Sequence, residues 1–373
     1  MGDRRGTCLC RRRRRSPDGH HRPASPSHPH RHAPALRSSL SVPLSVLDLG
    51  SVARGATSAQ ALQGTTRLAQ RADRLGFARF WVAEHHNMPI VASTAPTTLM
   101  AHLAASTDHI NVGSGGVMLP NHPPLVVAEQ AAMLEALHPG RIDLGIGRAP
   151  GTDPQTAAAL RRGADTLGAE EFPQHLVDLL GLLGDIREGS RLHERFRATP
   201  VATTHPQLFL LGSSGYSAQL AGLLGLAFVQ AHHFDMGGTD QSLRLYRERF
   251  DAVGNLPAPH AIVTASVTVA ETEQRARELS WPGRLFRLWL RTGRPIRLLT
   301  VAEARDHPDL DAALAMPTES LVGTGDQVAA GLADLVARTG ADEVMVTNSV
   351  ADYDDRLTSL ALLAAAVELT GRA

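Results

Sequence analysis

The run Arg79-Phe80-Trp81-Val82-Ala83-Glu84-His85-His86-Asn87 places a carboxylate and two adjacent imidazoles at the end of a short apolar segment. Groups of these types move protons or bind metal. Side chains alternate across a strand, so Glu84 and His86 share one face while His85 takes the other. Zinc would favour two histidines at i and i+2 on one face, with further ligands from elsewhere, and adjacent histidines match that poorly. The better-fitting arrangement has one histidine functional while its neighbour packs or caps.

Four further segments bear chemistry. The stretch Val112-Gly113-Ser114-Gly115-Gly116-Val117 lets backbone approach a flat ligand, although a bulge or barrel corner would use the same glycines. Arg148 offers the planar fork that suits phosphate, or else a partner for Asp143 or Asp153. Leu210-Leu211-Gly212-Ser213-Ser214-Gly215-Tyr216-Ser217 reads as a strand entering a helix through small hydroxyl-bearing residues. Free N–H groups, the helix dipole and the hydroxyls of Ser213, Ser214 and Ser217 would bind a dianion there, while an ordinary serine N-cap has the same appearance. His232 and His233 close a later apolar segment, where they face a common cavity or cap the next helix. No Gly-x-Ser-x-Gly elbow stands at a strand–helix turn and no Walker loop occurs, which argues against acyl transfer and nucleotide hydrolysis.

These segments need a scaffold that turns them toward one place. Strand patterns fall over residues 42–49, 79–83, 110–117, 141–147, 207–211, 226–230, 260–269 and 343–347. Helical patterns alternate with them over 58–75, 96–106, 125–137, 170–183, 217–224, 239–253, 327–339 and 353–369. Eight strands each followed by a helix predict an α/β fold, a TIM (β/α)8 barrel with insertions, whose strand ends share one mouth. A doubly wound open sheet competes, but Leu47-Asp48-Leu49-Gly50-Ser51-Val52 stands where its glycine-rich fingerprint belongs. Regularity lapses over 152–204 and over the Arg-rich 271–306, which is read either as a lid or as a surface insertion.

Composition narrows the function classes. The 373 residues carry no formal net charge, yet the first 40 hold ten Arg against Asp3 and Asp18, leaving −8 for residues 41–373. That sign disfavours nucleic acid as the main domain's partner. There is no Lys, hence no Schiff-base lysine, and both cysteines, Cys8 and Cys10, fall before the barrel. A fold without disulfides suits the cytoplasm, and no apolar run is long enough to span a bilayer. Residues 1–40 are expected to form a disordered extension and residues 41–373 the barrel domain.

Read as an ordered set, these motifs resemble the bacterial luciferase-like family of flavin-dependent monooxygenases over roughly residues 42–370. The resemblance rests on Phe80-Trp81-Val82-Ala83-Glu84-His85-His86-Asn87-Met88-Pro89, on the stretches 113–124 and 129–140, and on Gly145-Ile146-Gly147-Arg148-Ala149-Pro150-Gly151. It implies a barrel that binds reduced FMN at its C-terminal mouth and uses O2 to oxygenate a small organic substrate, an aldehyde or another carbonyl. His85 is then the acid/base. Gly115-Gly116 is the site of a cis peptide beneath the flavin ring, and Arg148, Ser213, Ser214 and Ser217 hold the phosphate. The luciferase has a glutamate where Ser213 stands and an aromatic near the flavin where His232 stands, so the resemblance counts His232 among the cofactor-binding residues. The resemblance further implies a homodimer and a reductase that supplies reduced FMN. Three alternatives remain open: a deazaflavin-dependent hydride-transfer enzyme, a non-catalytic flavin-binding barrel, and a zinc hydrolase. The substrate is not legible.

Overall fold

Period-two alternation along each strand sets the architecture. In this computed structural model, residues 40–161, 170–234, 237–254 and 256–371 are described, so the expected extension lies outside them except for Leu40. The strands are β1 (Leu44–Asp48), β2 (Arg79–Val82), β3 (Asn111–Ser114), β4 (Val117–Met118), β5 (Ile142–Gly147), β6 (Gln207–Gly212), β7 (Ala227–Gln230), β8 (Ala261–Val269), β9 (Leu321–Gly323) and β10 (Glu343–Thr347). Parallel pairing runs β1-β2-β3-β5-β6-β7-β8-β10, and β10 pairs with β1 to close an eight-stranded barrel. β4 continues β3 beyond the glycine pair, and β9 pairs with the far half of β8, off the ring.

Around the barrel lie α1 (Ser58–Leu75), α2 (Pro96–Ala105), α3 (Pro124–Leu137), α4 (Pro154–Arg161), α5 (Phe172–Leu182), α6 (Gly215–Leu223), α7 (Thr239–Glu248), α8 (Glu273–Thr292), α9 (Val301–Arg305), α10 (Leu310–Ala315), α11 (Gly325–Thr339) and α12 (Tyr353–Ala366). Their limits follow local chemistry. A reciprocal Thr57–Gln60 capping box starts α1, and Gly76, in the left-handed region at φ 86°, stops it.

Outward residues such as Phe80, Val82, Leu144, Phe228 and Val344 pack beneath the helices. Each large apolar side chain buried in this way contributes roughly 1.5–3 kcal/mol. Inward residues make two layers. Nearest the mouth lie Leu47, Trp81, Phe209, Val229, Ile262 and Met345, with Trp81 edge-on to Phe209 at 4.9 Å. Two residues earlier on the strands lies a polar layer. Arg79 bonds Asp143 at 2.8 Å, Glu343 at 3.0 Å and Gln207 at 3.3 Å, while Ser45 bonds Glu343 and Asn111 bonds Asp143. The bottom is thus plugged, and the top is left for chemistry.

Two expectations need correction. The strand over 110–117 is in two pieces, β3 and β4, with the cis Gly115–Gly116 peptide between them. The segment 271–306 is largely helical. It contains α8 and α9, which with α10 enclose an apolar cluster of Leu285, Trp289, Leu299, Ala304 and Ala313. Arg54 ties this unit to the loop after β1 through the Leu298 carbonyl and an ion pair with Glu303. Helical spacing was obscured there by the Arg content and by Pro282 inside α8.

Candidate active site

The strand ends enclose a cavity of about 190 Å³. Leu47, Trp81, Val229 and Met345 from the upper barrel layer form its floor. His85, Gly115, Arg148, Ser213, Ser217 and His233 stand around it, and no carboxylate lines it among the described residues.

Glu84 is fully buried behind this wall. Its carboxylate accepts from His86 Nε2 at 2.8 Å, His122 Nε2 at 2.9 Å, Asn121 Nδ2 at 3.1 Å and the Met118 N–H at 2.9 Å. Burial alone would raise its pKa, but the bonds from His122, His86 and Met118 outweigh that and hold it below the usual value. Glu84 therefore clamps the loops after β2 and β4 together, and His86 is one arm of the clamp. Its neighbour faces the other way, as alternation requires. The His85 ring lines the cavity, with its Nδ1 buried and without a partner among the described residues. Burial pushes the His85 pKa below the ordinary imidazole value; Glu84 pulls it upward, His86 adds to the depression, and burial prevails.

The backbone of Gly115 forms another wall. Gly115 N–H donates to the Val82 carbonyl at 2.8 Å and lines the cavity. Gly116 faces away, and a Cβ there would stand 2.7 Å from the Gly145 carbonyl oxygen. Gly151, at φ 66°, closes the Arg148 loop against the loop after β2, where a Cβ would meet the Glu84 carbonyl oxygen at 2.7 Å.

Across the mouth, Ser214 occupies the N-cap position of α6, but its hydroxyl makes no capping bond. The first-turn N–H groups of α6 are therefore not satisfied by a cap. No side-chain hydrogen bond engages Ser213 or Ser217 among the described residues, although Ser217 is buried against the cavity. The Arg148 guanidinium stacks over the Tyr216 ring at 4.3 Å and has no carboxylate partner among the described residues. The alternatives considered for it are otherwise engaged: Asp143 bonds Arg79 and Trp81, and Asp153 caps α4 through Gln155 and Thr156. A guanidinium stacked against the first turn of a helix, without a carboxylate partner among the described residues and in one cavity with serine hydroxyls, is chemically suited to a dianion such as phosphate.

The structure differs from the sequence reading at His232. Its ring is buried, with Nδ1 against Thr239 Oγ1 at 2.9 Å at the start of α7, and His233 lines the cavity instead. Residues 232–234 form one 3-10 turn, which rotates successive side chains by about a third of a revolution, so adjacent rings diverge. Thr264 is the other polar residue missed, because its strand reads as simple apolar alternation.

Together these features make a ligand site at the C-terminal end of a parallel barrel, with no carboxylate lining it among the described residues. The family model for luciferase-like monooxygenases matches residues 42–343, and the chain belongs to that family. It is 39% identical to the luciferase-like monooxygenase of Escherichia coli K12, over 86% of this chain and 96% of that one. It is 33% identical to the N-acetyl-S-alkylcysteine monooxygenase of Bacillus subtilis 168, over 87% and 98%. Among solved structures, apo-MsnO8 superposes with a TM-score of 0.82 at 38% identity, over 89% of this chain and all of that one.

Proposed function

We propose that this mouth binds reduced FMN and that the protein uses it with O2 to oxygenate a small, mainly apolar organic substrate. The observation that supports the reading is Arg148, without a carboxylate partner among the described residues, in one cavity with His85 and the hydroxyls of Ser213 and Ser217 at the start of α6; no carboxylate lines that cavity among the described residues. The donor set fits the cofactor. Ser213, Ser217, the first-turn amides of α6 and Arg148 would hold the phosphate, with Ser214 at the cap; the Gly115-Gly116 backbone would support the flat ring. Bound reduced flavin would supply the two electrons that let one oxygen atom enter the substrate while the other leaves as water.

The chain's own part is positioning, proton handling and exclusion of water. Leu47, Trp81, Leu211, Val229 and Met345 keep the cavity apolar, which strengthens every polar contact made there. His85, uncharged near neutrality, can hold or accept a proton at Nε2, the nitrogen not sealed in protein. Carbonyl compounds are the first substrates to test. Thioethers join the panel because the Bacillus subtilis relative is named for N-acetyl-S-alkylcysteine. A separate reductase, a homodimeric assembly and a cytoplasmic location belong to the same proposal. Among the described residues no helix is long and apolar enough to cross a membrane.

The deciding experiment mixes the protein anaerobically with reduced FMN or reduced deazaflavin, then admits air and follows oxygen uptake with the substrate panel. The reading requires FMN-dependent uptake coupled to oxygenated product. Turnover with deazaflavin alone, without oxygen consumption, would replace it with hydride transfer; flavin binding without turnover would leave a binding barrel.

A further inference from the structure

The cavity holds a second histidine whose hydrogen bonding fixes its role. His233 Nδ1 lies 2.5 Å from Thr264 Oγ1, and Thr264 Oγ1 lies 3.1 Å from the Gln230 carbonyl oxygen. Thr264 has one proton, and the carbonyl can only accept. Both contacts are hydrogen bonds under one assignment: Thr264 donates to Gln230, and His233 Nδ1–H donates to Thr264. The reverse assignment leaves the buried carbonyl without that donor. Nε2 of His233 is then a bare lone pair, with no partner among the described residues on a ring that lines the cavity.

His85 presents the opposite polarity. Its Nδ1 is sealed without a partner, and burying an unsatisfied N–H costs more than burying an unsatisfied lone pair. The proton therefore belongs on Nε2. Both rings line the same cavity, close enough for His85 to help depress the His233 pKa to about 3, behind the larger effects of burial and of Arg287 and His232.

We propose that His233, held by Thr264 as a positioning residue, is a ligand-binding residue whose Nε2 accepts a hydrogen bond while His85 Nε2–H donates one. The pair would select a ligand group that gives and accepts together, such as a hydroxyl or an N–H beside a C=O. The surrounding wall is apolar, with Leu47, Trp81, Leu211, Val229 and Phe234 facing the same space, so one such group on a hydrophobic body is the ligand class that fits. The inference rests on this cavity being the ligand site. It does not need FMN to be the ligand. An N–H/C=O edge could belong to a flavin ring, and a hydroxyl to a substrate.

Long-range 1H–15N spectra of the 15N-histidine-labelled protein, without ligand, test the first half. His233 is expected to carry its proton on Nδ1 in the wild type and in Thr264→Ser, and to lose that preference in Thr264→Val. A proton on Nε2 in the wild type, or no response to Thr264→Val, overturns the proposal. The second half compares wild type with His233→Asn, which keeps a polar group near the Nδ1 position and deletes Nε2. Benzyl alcohol and toluene serve as probes, each with and without FMN, and FMN affinity is measured in parallel. The wild type should prefer the alcohol roughly three- to tenfold, and the variant should lose that preference. A similar weakening of FMN binding with the alcohol preference intact assigns the pair to the cofactor's edge. If neither changes, the proposal fails. If the wild type takes up no FMN, the cofactor reading fails alone, and the comparison of alcohol with toluene still judges the histidine pair.

Discussion

His85 and Arg148 make testable demands because each is held by contacts that leave its working atoms free. Arg148 is positioned by the Tyr216 ring and owes no charge to a carboxylate, so the ligand should receive its full interaction. Charge-assisted bonds of this kind contribute about 1.5–3 kcal/mol. Arg148→Ala should therefore weaken FMN binding by roughly 10- to 150-fold in a fluorescence titration, with the urea midpoint of the protein nearly unchanged. An equal loss of stability would mean the guanidinium holds the fold together. His85 makes a pH demand. Burial lowers its pKa from 6.5, so the uncharged ring persists below the pH at which a free imidazole would protonate. If the neutral form works, kcat/KM should stay flat from neutrality downward and fall only below pH 6.5. An acidic limb centred above 6.5 would contradict the assignment, as would one that survives in His85→Asn.

Elements explain what could and could not be read in advance. α1 follows the anticipated limits because Thr57, Gln60 and Gly76 are local signals that act within a few residues. The mouth was legible for the same reason, since strand ends and a small-residue turn are local patterns. His233, not His232, was illegible because the phase of one 3-10 turn decides between them, and no periodicity reports that phase. The uncapped state of Ser214 was likewise invisible, because a capping serine and a free one have the same neighbours in sequence. Glu84 looked like part of the chemistry and proves to be a clamp, with partners Met118, Asn121 and His122 more than thirty residues away. The glycine pair offers a test at this scale. At Gly116 an added methyl would meet Gly145 backbone, whereas at Gly115 it would meet the movable tip of Leu47, at 2.7 Å in each case. Gly116→Ala should destabilise by about 1–3 kcal/mol in urea unfolding. Gly115→Ala should cost less stability and act mainly on ligand affinity, because it intrudes on the cavity. Equal effects on stability would refute this reading of the two glycines' surroundings.

At the scale of the whole molecule, the barrel separates its charges. No carboxylate lines the mouth among the described residues, and the bottom gathers two around Arg79. That layer joins side chains of β1, β2, β3, β5, β6 and β10, so it sits where the ring must close. Burial pushes Asp143 above its ordinary pKa despite Arg79, Trp81 and Asn111. Burial presses Glu343 the same way, but the nearby His260, 3.9 Å away, the charge and bond of Arg79 and the bond from Ser45 hold it lower. Removing Arg79 would leave Asp143 and Glu343 without their shared cation in the interior, and breaking a buried pair in this way costs about 3–5 kcal/mol. Arg79→Ala should show that loss in urea unfolding at pH 7.5. Part of it should return as the medium is acidified toward the carboxylate range, because a neutral acid is cheaper to bury than an unpaired carboxylate. The wild type also loses stability over that interval, and the part that comes from Glu84, His85 and His233 is shared by the variant and cancels in the comparison. Glu84 and Glu343 have depressed folded pKa values, so their contribution is present above about 4.5 and is lost as pH falls through the folded values. His85 and His233 begin to withdraw theirs below 6.5, His233 continuing toward about 3. The stability gap between wild type and Arg79→Ala should therefore narrow between pH 7.5 and pH 4. A gap that holds constant across that range would mean the cost lies in lost packing of the Arg79 stem, not in stranded charge.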